Sequence, residues 1–272
     1  MTTVSADLPD YGNPPVNEVV CGILFKPLMN MLTPYVGLLW EKYRDEYPIC
    51  QEAPPIIPII ETQGDHPADQ KPEFAEIPPL PRVWYVHKDG NGVIQVQRDR
   101  FLHNWRKLNQ KDKYPRFEKV FGMFTKHLQA FNSFLNDHRL GAISPLQFEL
   151  TYVNQIQQGE GWKTNADLGR IFADFAWRVK ERFLPAPESV NWRTSFLLPN
   201  KCGRLHMTVR DALHREDGRP LYIFELTARG FLGSGSQQDM KEWFALGHEW
   251  IVRGFTDLTD ETTQRTVWER IR

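Results

Sequence analysis

Residues 13–25 read Asn-Pro-Pro-Val-Asn-Glu-Val-Val-Cys-Gly-Ile-Leu-Phe, and the fold can be worked out from this stretch. The two prolines hold the backbone in an extended form and disfavour a helix at the residues before them. Beyond them two sets of side chains alternate, namely Val19, Cys21, Ile23 and Phe25 on one face and Glu18, Val20, Gly22 and Leu24 on the other. Since this period of two is that of a β-strand, the stretch predicts an inner strand that carries one unusual charge.

Glu18 is that charge. A carboxylate beside so much apolar surface needs a partner, because an unpaired buried charge is costly. The guanidinium groups of Arg106, Arg204 and Arg210 are the candidates. We therefore expect a structural ion pair at Glu18 rather than a catalytic role.

The chain has 272 residues, of which 41% are hydrophobic, so it can bury the core of one large domain or of two small ones. Its formal net charge of −1 excludes a global field that would attract nucleic acid or an anionic membrane. The three cysteines lie far apart, which predicts a reduced, cytoplasmic setting and no structural zinc. The chain start lacks a signal-peptide pattern and no apolar run approaches the roughly 20 residues of a membrane helix, so we expect no membrane association.

The N-terminal part of the chain predicts a helix, a long insertion and a hairpin. Thr33-Pro34 is typical of a helix start. Residues 48–81 contain nine of the 20 prolines, which favours an extended insertion that could serve as a recognition loop. Residues 83–87 and 93–97 then flank Asp-Gly-Asn-Gly, a strong signal for a hairpin turn.

Helices and strands also mix in the rest of the chain. Apolar residues at helical spacing predict a long helix from Phe117, and alternation predicts a strand over 146–152. The remaining predictions are a helix over 165–182, strands over 193–198, 203–213 and 221–229, and a final helix over 238–255 that ends near Gly254. Phe-Glu-Leu-Thr occurs at 148–151 and again at 224–227, an echo that indicates either an internal duplication or chance.

These elements predict an α+β fold, with antiparallel sheets packed against three or four amphipathic helices and a long Pro-rich insertion. The strand–helix–strand rhythm of a parallel sheet is missing from the pattern. Glycines and glutamines at 157–161 indicate a boundary between an N-terminal half, 13–156, and a C-terminal half, 162–272. We expect the two halves to pack as one unit.

Several short motifs occur in a fixed order along the chain. They are the opening Asn-Pro-Pro-Val-x-Glu, Asn104-Trp105-Arg106, Tyr114-Pro115, Thr151-Tyr152-x-Asn154, and His248-Glu249 followed by Phe255-Thr256 and Trp268. In order and spacing they resemble a sporadically distributed bacterial family of uncharacterised proteins of similar length. The resemblance carries no established activity, but the patchy spread of that family implies an accessory role, such as antiviral defence or a toxin-linked partner.

Residues 98–119 are locally basic, with eight basic against three acidic residues. Three aromatic residues lie among these charges, namely Phe101, Trp105 and Tyr114. Basic side chains with rings between them are what phosphate contacts and base stacking need. The alternative is a solvated loop whose rings pack inward, with Asn104 capping a turn and Arg106 paired with an acid. The near-zero total charge favours this alternative.

Alternation gathers polar side chains on one side of three predicted strands. They are Glu149 and Thr151 on the first strand, Arg204, His206, Thr208 and Arg210 on the second, and Glu225, Thr227 and Arg229 on the third. If these sides coincide, one sheet face could bind an anionic ligand, seat a partner or perform acid–base chemistry. The ordinary interpretation is a hydrated outer face with cross-strand ion pairs.

Two further motifs have ordinary structural interpretations. Residues 230–236 join a strand to a helix, but they lack the glycine spacing and the Lys-Ser/Thr pair of a phosphate-binding loop. Ser236 with Asp239 indicates a helix cap instead. His248 and the Glu after it begin like a zinc-protease helix, yet Val252 stands where the second His is required, so His248 is predicted to be a surface or hydrogen-bonded helix residue.

Our leading hypothesis is a non-enzymatic interaction protein that holds a protein partner by the Pro-rich insertion or the polar sheet face. The candidate binding residues are Glu18, Asn104, Trp105, Arg106, Glu149, Arg204, His206, Arg210 and Glu225. The alternatives are nucleic-acid or nucleotide binding through residues 98–119 and hydrolysis at Glu149, His206 and Glu225. Because no nucleophile has a His and an acid near it in the sequence, we predict no catalytic residue, and we expect no metal or cofactor.

Overall fold

The computed structural model describes residues 8–61, 81–175 and 183–272, and the strands within them form one sheet. These strands are β1 (Val16–Phe25), β2 (Ile49–Ala53), β3 (Arg82–Val86), β4 (Gly92–Gln97), β5 (Arg100–Arg106), β6 (Pro145–Gln157), β7 (Asn191–Leu197), β8 (Gly203–Leu213) and β9 (Pro220–Gly230). The sheet order is β2-β3-β4-β5-β1-β6-β9-β8-β7, and each neighbouring pair is antiparallel. With the helices, this sheet confirms the predicted α+β class.

Helices pack on one side of this sheet. In the described ranges they are α1 (Thr33–Tyr43), α2 (Phe117–Asp137), α3 (Gln237–Leu258) and α4 (Glu261–Thr266). α2 lies against β1 and β5, whereas α3 lies against β6, β8 and β9. The predicted apolar stripes are confirmed, since Phe124 and Phe131 of α2 and Trp243 and Phe244 of α3 are fully buried. Burial of these large rings between helix and sheet is a major source of stability.

β1 lies in the middle of the sheet, between β5 and β6, so the predicted inner strand is confirmed. One side of β1 belongs to the core, with Val19, Cys21, Ile23 and Phe25. The other side carries Glu18, Val20, Gly22 and Leu24. We call the first side of the whole sheet the helix-covered face and the second side the open face.

The chain builds the two lateral halves of the sheet in a similar order. The first half begins with the central strand β1, continues through α1 and the outer strands β2 to β5, and ends in α2. The second half begins with the central strand β6, continues through β7 to β9, and ends in α3. The Phe-Glu-Leu-Thr echo does not mark this repeat, because both copies lie in the second half, on the paired strands β6 and β9, where only their last residues, Thr151 and Thr227, are opposite each other. β1 also pairs directly with β6, so the sheet continues across both halves and residues 158–161 are only the turn after β6.

Two strands of the sheet were not predicted. β5 lies where the sequence predicts a basic loop. That prediction is wrong because Arg100, His103 and Asn104, although polar, are buried in the sheet. β2 lies in the Pro-rich insertion as an edge strand beside β3, and its own residues, 49–53, include no proline. Residues 62–80 of the insertion lie outside the described residues.

The helix predicted over 165–182 is confirmed only at its start, and there as a 3-10 helix and not an α-helix. Residues 165–170 form a short 3-10 helix, and the chain after it is irregular. Phe172 forms a backbone bridge to Thr259 beyond α3, so a tertiary contact prevails over helical spacing here. Residues 176–182 of the predicted helix lie outside the described residues.

The predicted hairpin and the last helix are confirmed, with one change at the helix end. β3 and β4 pair around the turn at 89–92, and β8 and β9 pair around the turn at 215–217. α3 continues past Gly254 to Leu258, because Phe255 and Leu258 extend its buried stripe.

Candidate functional site

The strand register brings the predicted polar side chains together on the open face. Residues that lie opposite each other in an antiparallel pair share a face. One row across β6, β9 and β8 is Glu149, Arg229 and Arg204, the next is Thr151, Thr227 and His206, and the third contains Glu225 and Thr208. The three polar sides identified in the sequence therefore do coincide.

Cross-strand bonds already join several of these groups. The Arg229 Nε donates to Glu149 Oε2 at 2.5 Å, and both side chains are mostly buried. The hydroxyl groups of Thr151 and Thr227 are 2.9 Å apart, and Thr227 also donates to Glu225 at 3.1 Å. This part of the open face thus has the ion pairs and hydrogen bonds of the ordinary interpretation.

Glu18 ends a relay of hydrogen bonds that crosses β3, β4, β5 and β1. Arg82 donates to Gln95 at 3.0 Å, Gln95 donates to Asn104 at 2.8 Å, and Asn104 donates to Glu18 Oε1 at 2.5 Å. Burial raises the pKa of Glu18, although the bond from Asn104 and the charge of Arg106 act in the opposite direction. The ion pair predicted for Glu18 is wrong, because the side chain that bonds its carboxylate is the neutral amide of Asn104. Asn104 is a mid-strand residue and not the predicted turn cap.

An extended segment of the Pro-rich insertion, residues 54–61, lies across the open face, and we call it the strap. On β4, Gln97 accepts a hydrogen bond from the Ile56 amide at 2.9 Å and donates to the Ile56 carbonyl at 3.1 Å. On β6, Gln147 donates to the Ile59 carbonyl at 2.8 Å and accepts from the Glu61 amide at 2.7 Å. Two glutamine side chains therefore hold the strap by its backbone, and Gln147 is 1% exposed.

The strap ends with a carboxylate bound by two basic groups on β8. Glu61 Oε2 accepts from Arg204 at 2.9 Å, and Glu61 Oε1 lies 2.5 Å from His206 Nε2. Burial alone would raise the pKa of Glu61, but the contacts with His206 and Arg204 outweigh it and hold the pKa below its usual value. Arg204 and His206 thus form an anion site that the chain's own carboxylate occupies.

Three further arginines lie on the open face outside the strap. Arg193 and Arg210 are exposed on β7 and β8, and Arg106 is half-buried on β5. Unlike Arg204 and Arg229, none of the three forms an ion pair with a described residue. Arg106 donates to the carbonyl of Gly90 at 3.0 Å, so its predicted pairing with an acid is wrong.

The rings of the basic stretch face the core and not the solvent. Trp105 points to the helix-covered face, opposite to Asn104 and Arg106, and its ring lies 5.5 Å from that of Tyr114. Phe101 is fully buried. The basic side chains also bond locally, as Arg116 does with Asp10 at 2.7 Å. The alternative prediction, that the rings of residues 98–119 pack inward, is therefore confirmed for these rings. Trp105 does not belong to the open face.

The three residues of the hydrolase hypothesis share the open face, but each bonds a different group. Glu149 bonds Arg229, His206 bonds Glu61, and Glu225 accepts from Thr227. Among the bonds of the described residues, none joins two of the three. No described group of three His, Cys, Asp or Glu side chains is arranged to hold a metal ion.

The structure also places the helix cap at Ser236 and the histidine at 248. Ser236 and Asp239 form the predicted cap of α3, with reciprocal bonds of 2.8 Å and 3.1 Å. His248 lies half-buried on α3, and its ring stacks on Phe117 at 4.0 Å. Burial lowers the pKa of His248 to about 4, so it is neutral near pH 7.

Comparisons with protein-family models, curated proteins and solved structures give no match for this chain. The helices in the described ranges are too short or too polar to span a lipid bilayer. The sequence pattern found Arg204, His206, Glu149 and Glu225, but it missed Glu61, Gln97 and Gln147. Two features, an extended Pro-rich segment and glutamines alternating with apolar residues in strands, could have pointed to them.

Proposed function

We propose that this chain is a non-enzymatic protein-binding module whose open face holds an extended, acidic segment of a protein partner. The observation that carries the proposal is the strap, which crosses β4, β6 and β8 as a bound peptide would. This mode differs from the addition of a strand to a sheet edge, because the segment lies on the face of the sheet. A surface that holds its own extended segment has the contacts needed to hold a similar segment of another chain.

The contacts divide into backbone recognition and charge recognition. Gln97 and Gln147 each offer a donor and an acceptor to one stretch of main chain, so they hold an extended segment whatever its side chains are. Arg204 and His206 bind a carboxylate through charge-assisted bonds, which require an acidic residue at one position. Together they would select an extended segment with an acid at its end.

The uncovered arginines support a partner that is acidic beyond the bound segment. Arg106, Arg193 and Arg210 place positive charge on the open face outside the strap. Complementary charge raises the rate of association and suppresses wrong partners. The family resemblance implies that the protein acts in a bacterial defence module, and we include that role in the proposal.

A labelled peptide with the strap sequence, Pro-Pro-Ile-Ile-Pro-Ile-Ile-Glu, tests whether the open face binds such a segment. In the wild-type protein the strap competes at an effective concentration in the millimolar range, so we expect weak binding. Glu61→Gln removes the charge of the competitor, and we expect the peptide to bind this variant at least ~10-fold more tightly, a difference of about 1.4 kcal/mol. Fluorescence anisotropy measures both affinities.

Two controls make the result specific. Glu52→Gln changes an exposed residue of β2 in the same chemical way and should leave the affinity at the wild-type level. Adding Arg204→Gln to the Glu61→Gln variant should abolish the gain, because the peptide carboxylate loses its main partner. Equal, weak binding by the wild type and the Glu61→Gln variant would refute the proposal.

A single-stranded oligonucleotide distinguishes this function from nucleic-acid binding. Phosphate contacts give an affinity that falls steeply with salt and that Arg106→Ala would weaken. We expect only weak binding, because the rings of residues 98–119 face the core. Tight, salt-sensitive binding of the oligonucleotide with no binding of the peptide would favour the alternative function.

A further inference from the structure

A cavity of about 280 Å³ lies on the helix-covered side, remote from the strap. The start of α2, the middle of α3, β6 and the segment before β1 enclose it. Its apolar walls include Pro15, Val16, Leu226, Ile251 and Phe255. This volume is just below the roughly 300–1,000 Å³ of drug-sized ligand pockets, which is enough for one or two fused rings.

Flat rings form one wall of the cavity. His248 stacks on Phe117 with the ring centroids 4.0 Å apart and the planes 8° apart. The ring centroid of Tyr152 lies 6.1 Å from that of His248, with the planes 30° apart. A flat ligand fits such a wall better than a branched one, because offset or edge contacts between rings are favourable.

Polar groups with unused hydrogen-bonding capacity line the same cavity. The hydroxyl groups of Tyr114 and Tyr152 are 2.7 Å apart, so one donates to the other and one proton has no acceptor among the described residues. His248 is neutral, which gives its ring one donor and one acceptor, and neither bonds a described residue. Asn154 donates to the Phe224 carbonyl, and its amide oxygen accepts no bond from the described residues.

The charges around the cavity balance. Arg116 forms an ion pair with Asp10 at 2.7 Å, so these two charges offset each other. Glu118 and Arg272 add one negative and one positive group. The lining therefore carries no excess charge of either sign that would favour an anion or a cation over a neutral ligand.

We propose that this cavity binds a neutral, flat heteroaromatic molecule of one or two rings that carries both a hydrogen-bond donor and an acceptor. The ligand lies against the ring wall of Phe117 and His248. The free tyrosine proton meets its acceptor, and the Asn154 amide oxygen meets its donor. This site is independent of the strap and of the proposed partner.

Adenine and nicotinamide are the probes, with toluene as an apolar control and benzoate as a charged control. Saturation-transfer NMR and the shift in melting temperature measure binding to the full chain at millimolar concentration. We expect saturable binding of at least one of the two probes and much weaker binding of both controls. Toluene or benzoate binding as tightly as the probes would overturn the assignment of ligand class, and no binding of either probe would overturn the site.

Two variants of α3 locate the binding. Val252 is half-buried and lines the cavity, so Val252→Phe places a ring inside it and should abolish probe binding. Lys241 is exposed on the same helix, so Lys241→Phe adds a ring elsewhere and should leave binding unchanged. A thermal melt confirms that both variants fold. Probe binding that survives in a folded Val252→Phe variant would overturn this location.

Discussion

The helix-covered face and the open face bury the same nine strands by different chemistry. On the helix-covered face, rings from α2 and α3 contact rings from the strands, as Phe131 does with Phe101 at 5.1 Å. On the open face, side chains of neighbouring strands bond one another, and the strap covers Gln97 and Gln147. Apolar contact is insensitive to direction and charge, whereas the bonds of the open face need specific partners. Stability should therefore depend mainly on the first face and recognition on the second.

The largest expected effect is the loss of a core ring. Phe131 is fully buried and contacts Phe25 and Phe101, so Phe131→Ala removes transfer energy and leaves a cavity. We expect the free energy of unfolding in urea to fall by about 3–5 kcal/mol. Asn132→Ala, at the exposed neighbouring position, should change it by less than about 0.5 kcal/mol. A loss below about 1 kcal/mol for Phe131→Ala would show that the helix-covered face is not the main source of stability.

A smaller effect is expected when an ion pair of the open face is broken. Arg229→Leu leaves the Glu149 carboxylate mostly buried without its partner, which should cost about 1–3 kcal/mol. The double variant Glu149→Leu/Arg229→Leu should recover much of that loss, because two apolar side chains replace the pair. Urea unfolding of Arg229→Leu, Glu149→Leu and the double variant gives the coupling energy. Two independent, additive losses would mean that the pair contributes no specific bond.

Acid should weaken the helix-covered face before the open face. Tyr47 bonds the buried His103 and His127, and burial lowers the pKa of His103 to about 3 and that of His127 to about 4. The unfolded chain binds protons at these histidines near pH 6.5, so stability is full above that pH and falls as the pH drops towards 4. The Glu61 carboxylate has a lowered pKa, so its contribution is lost only below the usual range of a glutamate.

His127→Gln tests this pH dependence. Gln can still bond Tyr47 but does not titrate, so unfolding free energy should fall less steeply between pH 6.5 and 5, by about 1 kcal/mol per pH unit at most. His138→Gln at an exposed position of the same region should leave the slope unchanged. Urea unfolding at several pH values measures the slopes. Equal slopes in the wild type and the His127→Gln variant would place the acid sensitivity elsewhere.

The comparison of the two faces also shows what the sequence could predict. Period-two alternation identified β1, the inner residues of β6 and the polar side of β8, because each side chain of a strand faces the direction opposite to that of its neighbours. β5 was missed because its polar residues Arg100 and Asn104 suggest a loop, although both are buried in the sheet. Arg100 is bonded to Asp99, and Asn104 is bonded to Gln95 and Glu18 on neighbouring strands. The histidine pair with Tyr47 was missed for a different reason, because the three residues lie far apart in the sequence.

The strap could not be predicted from local pattern. Glu61 lies in a proline-rich segment, and its bond to Arg204 joins residues 143 positions apart. The direction in which the segment leaves β2 decides whether it crosses the open face, and no periodicity encodes that direction. The same holds for the cavity beside His248, which α2, α3, β6 and the segment before β1 enclose. Faces of single elements follow from sequence, whereas contacts between distant segments depend on the assembled fold.

The smallest expected effect on stability concerns the strap itself. Glu61→Gln removes one charge from the anion site but leaves the rings of the helix-covered face untouched. Gln keeps a hydrogen-bond acceptor, and the strap can open to let water reach Arg204 and His206, so the global free energy of unfolding should change by less than about 1 kcal/mol. Locally the strap should open more often, and the amide of Ile56, which donates to Gln97, should exchange its hydrogen faster. Hydrogen-exchange NMR compares this amide with those of β1, which should not change, and Glu52→Gln serves as the matched control. A global loss as large as that of the broken Glu149–Arg229 pair would mean that the strap is part of the folded core, and the open face would then be closed to a partner.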